Sequence, residues 1–257
     1  MRTTAIMNLK GGTGKTVTAI NTAAIMARDH AQRVLLIDAD SQANLTEFVC
    51  PAMPDGVTPG GVTDLLTGKH PFPIPTAIPN VSILHADEKL MALDVTSAQT
   101  GKSNPMALAE WLGRREIESR YDRVLIDCPP AFSAAAMAAL IAADEVVIPL
   151  KLDAFGVRGL ANLLEQIRNM RQINLDLEIA GVLPTMAYPS DEQHKTLSQL
   201  RQTLAIQGIR VFHPIRRSTK VDEMTFAQEP LIKSSPKSKA TYDYKVFVHK
   251  LMEGGEQ

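Results

Sequence analysis

The segment Lys10-Gly11-Gly12-Thr13-Gly14-Lys15-Thr16 constrains this chain more than any other. A short apolar run, Thr4-Ala5-Ile6-Met7, precedes it, and Val17-Thr18-Ala19-Ile20-Asn21 continues it as a helix-like stretch. Strand, glycine-rich turn and helix start are the context that a phosphate-binding loop requires. Glycine lets the backbone approach phosphates with no Cβ in the way. The loop amides form an anion-binding concavity, and the helix N-terminus adds partial positive charge. This spacing gives Lys15 to the β and γ phosphates and the Thr16 hydroxyl to Mg2+. The expected phosphate-contacting set is Gly11, Gly12, Thr13, Gly14, Lys15, Thr16 and Val17. In one place the pattern departs from the usual loop. Leu9 stands where the first glycine belongs, and a second lysine, Lys10, precedes the glycine pair.

Apolar runs alternate with helix-like stretches along the rest of the chain. Val34-Leu35-Leu36-Ile37 ends at Asp38, and Arg123-Val124-Leu125-Ile126 ends at Asp127. Further runs are 145–150 and 179–183. Strands this short and uniformly apolar suit a parallel sheet covered on both faces. Helical patterning falls at 18–29, 106–119, 133–142, 159–171 and 191–207. The expected fold is α/β: a doubly wound, mostly parallel sheet with helices on both faces and ligands at the carboxyl ends of the strands. Residues 51–80, rich in proline and glycine, break the rhythm and read as a loop-rich surface excursion with one short helix near Thr63–Leu66.

The chain has 257 residues, enough for one large α/β domain over 1–257. The N-terminus runs straight into the first strand, so neither a signal peptide nor an N-terminal helix-turn-helix domain is expected. No apolar run approaches the roughly 20 residues of a membrane span. Net charge is −1, so any contact with nucleic acid must come from a local patch. Cys50 and Cys128 make no disulfide framework and suit a reducing cytoplasm. The histidines are scattered without metal-ligand spacing.

Lys10 followed by Gly-Gly-x-Gly-Lys-Thr resembles the deviant phosphate loop of the ParA/MinD class of P-loop ATPases. The resemblance implies a bound ATP with Mg2+, and a homodimer in which Lys10 crosses to the partner's nucleotide. Asp38-Ala39-Asp40-Ser41-Gln42-Ala43-Asn44-Leu45-Thr46 follows the second apolar run and resembles the family's first switch segment, with Ser41 in place of proline. By resemblance Asp40 positions the attacking water, and Asp38 lies near the metal. Leu125-Ile126-Asp127-Cys128-Pro129-Pro130 looks like the Walker B and second switch segment, where Asp127 would hold a metal-bound water. Lys10, Lys15 and Asp40 are thus the expected catalytic residues, and Thr16, Asp38 and Asp127 the metal set. Cys128 lies inside this motif and reads as a buried thiol, not a cluster ligand. Gly181 to Met186 is similar to a family segment near the adenine, which adds Thr185, Met186 and, further on, Pro214 to the nucleotide site.

The C-terminal stretches Ile215–Glu223 and Ser234–Ala240, with Tyr244, are most similar to partition ATPases of the family. Arg216, Arg217, Lys220, Lys233, Lys237 and Lys239 would form a stripe binding DNA without regard to sequence. The resemblance further implies a centromere-binding ParB-like partner that stimulates hydrolysis. It also implies a bacterial or plasmid-encoded, cytoplasmic and nucleoid-associated protein with no membrane contact. Two other readings stand beside it. One is an accessory ATPase of DNA processing in conjugative transfer. The other is a MinD-like membrane-positioning ATPase, which needs a basic amphipathic tail. Tyr244, Phe247, Val248 and Leu251 form an apolar stripe beside Lys245, His249 and Lys250, the pattern of a packed last helix as well.

Overall fold

A computed structural model describes residues 1–50, 60–93 and 103–254. The parts of the proline-rich excursion at 51–59 lie outside the described residues. The strands are β1 (Arg2–Ile6), β2 (Val34–Asp38), β3 (Ile74–Pro75), β4 (Val81–Leu84), β5 (Arg123–Asp127), β6 (Glu145–Lys151) and β7 (Glu178–Thr185). Among the described residues they form one sheet in the order β3-β4-β2-β5-β1-β6-β7. Every pairing is parallel except β3 with β4. β2, β5 and β6 are buried almost throughout, as continuous Val, Ile and Leu runs demand when both faces are covered. The doubly wound, mostly parallel sheet expected from the sequence is therefore present.

The sheet divides the apolar side chains into two cores. One holds Leu35, Ile37, Val124, Ile126 and Ile148 beneath the helices Ala107–Leu112, Ala134–Ala142 and Ala154–Met170. The other holds Leu36, Leu125 and Val147 beneath the helices α1 (Lys15–Asp29) and Lys239–Glu253. Alternate residues of one strand serve opposite cores, as the two-residue period of a strand requires. Short polar residues set several helix starts: the side chains of Ser133, Asp153, Ser190 and Ser238 each accept a bond from a first-turn amide.

Some elements differ from the sequence pattern. The 106–119 stretch is two helices, Ala107–Leu112 and Arg115–Glu118, interrupted at Gly113. The helix expected from residue 159 begins at Ala154, because Asp153 caps it by accepting from Gly156 N–H at 2.7 Å. Strand β4, too short to stand out in the pattern, pairs with β2 and carries β3 on the edge.

Candidate nucleotide site

β1 lies inside the sheet between β5 and β6, so the loop that leaves it emerges among the carboxyl ends of parallel strands. Asn8 holds its start: Nδ2 donates to Pro149 O at 2.7 Å, and Oδ1 accepts Lys10 N–H at 2.9 Å. Thr185, at the end of β7, donates its hydroxyl to Thr13 O at 2.8 Å and fixes the middle of the loop. Gly12 and Gly14 have φ of +69° and +85°, the left-handed region that glycine enters without strain. A Cβ added at Gly11 or Gly12 would meet no atom within 4 Å. The space above the loop is therefore open, as a cradle for phosphate must be. Gly14 then caps α1, whose first residues are Lys15 and Thr16.

The acidic residues converge on this helix start. Ile6 and Asp127 are register partners across β1 and β5, and Asp38 and Asp127 across β2 and β5. Thr16 donates its hydroxyl to Asp127 Oδ2 at 2.6 Å. Asp127 Oδ1 is buried and has no hydrogen-bond partner among the described residues. A buried carboxylate oxygen with nothing to accept from is costly unless a cation or its water completes it. The donor set of threonine hydroxyl plus carboxylates is the hard oxygen chemistry that Mg2+ takes. The residues present therefore fit the ion, with Thr16 and Asp127 as its holders and Asp38 alongside.

Burial pushes the Asp127 carboxyl well above its ordinary value, and the neighbouring Asp38 adds to the rise. Asp38 is also raised, mainly by burial, against hydrogen bonds from Thr46 and Asp40 that favour its ionised form. Lys15 is 7% exposed, and burial pulls its ammonium below the usual value while Asp127 and Asp40 oppose that. Charges under mutual strain at one sheet edge are the electrostatic signature of a binding centre.

Two clefts meet at Gly14 and Val17. One, of about 580 Å3, runs along Gly11 to Val17 and is walled by Asp40, Gln42, Pro130, Met186 and Thr225. The other, of about 440 Å3, is lined by Thr185, Met186, Ile215, Arg216, Arg217 and Tyr244. Met186 borders both, with φ of +53°. Pro214 immediately precedes Ile215 but is not itself in the lining. Asp40 faces the first cleft while its Oδ1 accepts Gln42 N–H at 3.0 Å, so it shapes the turn as well. Lys10 lies back on its own chain, with Nζ at 2.9 and 3.1 Å from the two Asp153 oxygens.

The AAA domain family matches residues 1–179. The chromosome partitioning protein ParA of Caulobacter vibrioides is 33% identical over 240 residues, covering 90% of this chain and 86% of that protein. The chain belongs to the ParA/MinD family of P-loop ATPases. Cobyrinic acid a,c-diamide synthase of Mycobacterium smegmatis, solved with ADP and magnesium, is 26% identical with a TM-score of 0.81 over 100% of this chain and 96% of its own. Apo McdA of Cyanothece has a TM-score of 0.84 at 23% identity over 98% and 99% of the two chains, a likeness of fold.

The basic residues of the C-terminal stretches in this ParA/MinD-family chain are less uniform than their sequence suggests. Arg216 is bound bidentately to Asp243, at 2.8 Å to Oδ2 and 2.6 Å to Oδ1, and Asp243 is fully buried. Lys220 pairs with Glu223 at 2.6 Å and Lys233 with Glu229 at 2.7 Å. Such exposed pairs are weak and exchange readily. Arg217, Lys237 and Lys239 are exposed. The apolar stripe Tyr244, Phe247, Val248 and Leu251 is buried to within 2% and packs on α1. Phe247 meets Phe212 edge to face at 4.9 Å. These side chains are core, so this stripe is not available to a membrane surface. Among the described residues no helix is long and apolar enough to cross a membrane. Cys128 is fully buried, and burial holds its thiol far above the ordinary value.

Sequence reasoning overlooked Asn8, Thr46 and Asp153. Asn8 stands two residues before Lys10, where a short amide that brackets the loop start is a readable signal. Thr46 closes the segment that begins at Asp38 but no spacing rule gives it a role, and Asp153 meets Lys10 only through the fold.

Asp127 yields a stability prediction. A carboxyl whose folded value is raised contributes stability below the ordinary value of 3.8, and this is lost as pH rises through the folded value. In metal-free, nucleotide-free protein, Asp127→Asn should therefore be more stable than wild type near pH 7.5, by about 1–3 kcal/mol. The gap should close as pH falls toward 4. Thermal unfolding across that range checks it. A variant no more stable than wild type at pH 7.5 would contradict the assigned burial cost.

Proposed function

We propose that this chain is a Mg2+-dependent ATPase that partitions DNA as an ATP-bound sandwich dimer. One observation carries the reading. Buried Lys15 and Asp127 meet half-buried Thr16 at the end of β5 below an open glycine cradle, with Asp127 Oδ1 left for a cation. Bound Mg2+ would neutralise charge on the β and γ phosphates. Lys15 adds its own charge there, and the amides of Gly11 to Val17 donate to the remaining phosphate oxygens. Thr16 and Asp127, with Asp38, hold the metal side. Asp40 orients water in line with the γ phosphate. Thr185 and Met186, with Pro214 behind them, border the base.

In the dimer Lys10 leaves Asp153 and reaches the nucleotide of the second subunit. Two nucleotides face to face carry dense negative charge, and one lysine from each subunit offsets it. The dimer binds DNA without regard to sequence, through Arg217, Lys220, Lys237 and Lys239, with Lys233 nearby and Arg216 bracing the surface. A centromere-binding ParB-like protein stimulates hydrolysis and so releases the DNA. The relatives named for chromosome partitioning support this role, and the family's presence in bacteria supports a cytoplasmic, nucleoid-associated location. Residues 1–257 act as one ATPase domain.

Light scattering with Mg-ATP tests the dimer. Asp40→Ala should be trapped as a dimer, since hydrolysis is blocked while binding survives. Adding Lys10→Ala should weaken that dimer about 100-fold or more, because two charge-assisted bonds are lost together. Equal dimerisation of the two would remove Lys10 from the interface.

A further inference from the structure

Asp38 is fully buried at the end of β2, beside Asp127, and most of its hydrogen bonds come from one residue. Its Oδ2 accepts both the backbone N–H and the hydroxyl of Thr46, each at 2.8 Å. Its Oδ1 accepts Asp40 N–H at 3.2 Å, a longer and weaker bond. The Thr46 hydroxyl in turn accepts Ala86 N–H at 3.1 Å. A hydroxyl has one hydrogen, and here it is committed to Asp38 while a lone pair is committed to the segment after β4. Thr46 is 9% exposed and lies in the first turn of the helix Asn44–Val49, so the strut is anchored at three points.

We propose that Thr46 is the positioning residue for Asp38, turning its carboxylate so that one oxygen stays toward the metal side of the site. The proposal rests on the Mg2+-nucleotide reading above. A carboxylate that flanks a metal works only in a fixed orientation, and partners that fix such ligands are worth about 10–100-fold in metal affinity. With both Thr46 donors on Oδ2, rotation of the carboxylate would break two short bonds. Without the hydroxyl only the backbone donor remains on that oxygen, and Asp38 can turn toward Asp40.

The test is a Mg2+ titration of fluorescent ATP-analogue binding, read beside thermal unfolding of the nucleotide-free protein. Thr46→Val removes the hydroxyl at nearly constant volume, and Thr46→Ala removes it with room to spare should the valine misfold. Both should raise the Mg2+ concentration for half-maximal binding about tenfold or more, with analogue affinity in chelator within about twofold of wild type. Thr46→Ser, which keeps the hydroxyl, should restore the wild-type Mg2+ midpoint. An unmoved midpoint in hydroxyl-free variants, with only the unfolding temperature lowered, would reduce Thr46 to a strut for Ala86 and overturn the proposal. So would a serine variant that fails to restore the midpoint. Wild-type binding indifferent to Mg2+ would overturn the parent reading instead, and it is seen before any variant is made.

Discussion

Lys15→Ala should lower ATP affinity about 100-fold or more while leaving the nucleotide-free protein at least as stable as wild type. Both halves follow from the same burial. The Lys15 ammonium is desolvated at the start of α1, and burial works against its charge. Asp127 and Asp40 offset that cost only in part, and phosphate oxygens would add bonds worth about 1.5–3 kcal/mol each when a charge is involved. Removing the ammonium forfeits those bonds and also forfeits the desolvation cost. A fluorescent-nucleotide titration and a melting curve on one preparation read the two together. Unchanged affinity would sink the phosphate-loop assignment. Lost affinity with a collapsed melting temperature would instead make Lys15 a structural residue.

The centre of the fold was legible because its chemistry is local. Lys10 to Thr16 specify a strand–turn–helix unit in consecutive residues, and the structure places them so. Apolar runs ending in Asp38 and Asp127 gave β2 and β5 with their carboxylates at the same edge. What was not legible depends on contacts that only the fold brings about. Thr46 and Asp153 acquire their roles from Asp38, Ala86 and Lys10, and no local pattern announces such meetings. β4 is only four residues, and its place beside β2 is a tertiary fact. The basic stripe shows the converse. Sequence counts charges, whereas Arg216 is occupied by a buried carboxylate contributed by the last helix. An Arg216→Ala variant would therefore strip the buried Asp243 of its guanidinium partner, leaving it the backbone N–H of residue 216 and the nearby His213, and would test stability more than DNA binding.

The second large effect concerns DNA. The chain has a net charge of −1, so one subunit offers only a small basic surface, here the patch of Arg217, Lys220, Lys237 and Lys239. A single weak patch of this kind should hold a duplex poorly. In the proposed dimer two patches act on one duplex, and joining weak sites raises avidity about 10²-fold or more. ATP should therefore convert weak binding into tight binding without any new contact within a subunit. Phosphate contacts release counterions, so affinity should fall steeply as salt rises, and equally for unrelated sequences. Removing Arg217 and Lys220 together should abolish most of the gain. Arg217 is exposed and Lys220 half-buried, and the Lys220–Glu223 pair contributes little to stability.

The most direct measurement is a fluorescence-anisotropy titration of unrelated duplexes against Asp40→Ala protein, with Mg-ATP or Mg-ADP, at two salt concentrations. The account predicts tight, sequence-indifferent and salt-sensitive binding with ATP, about 10²-fold weaker binding with ADP, and loss of the ATP state's affinity in Arg217→Ala/Lys220→Ala protein that still dimerises. Equal affinity with ATP and ADP, or strong preference for one duplex over another, would contradict it.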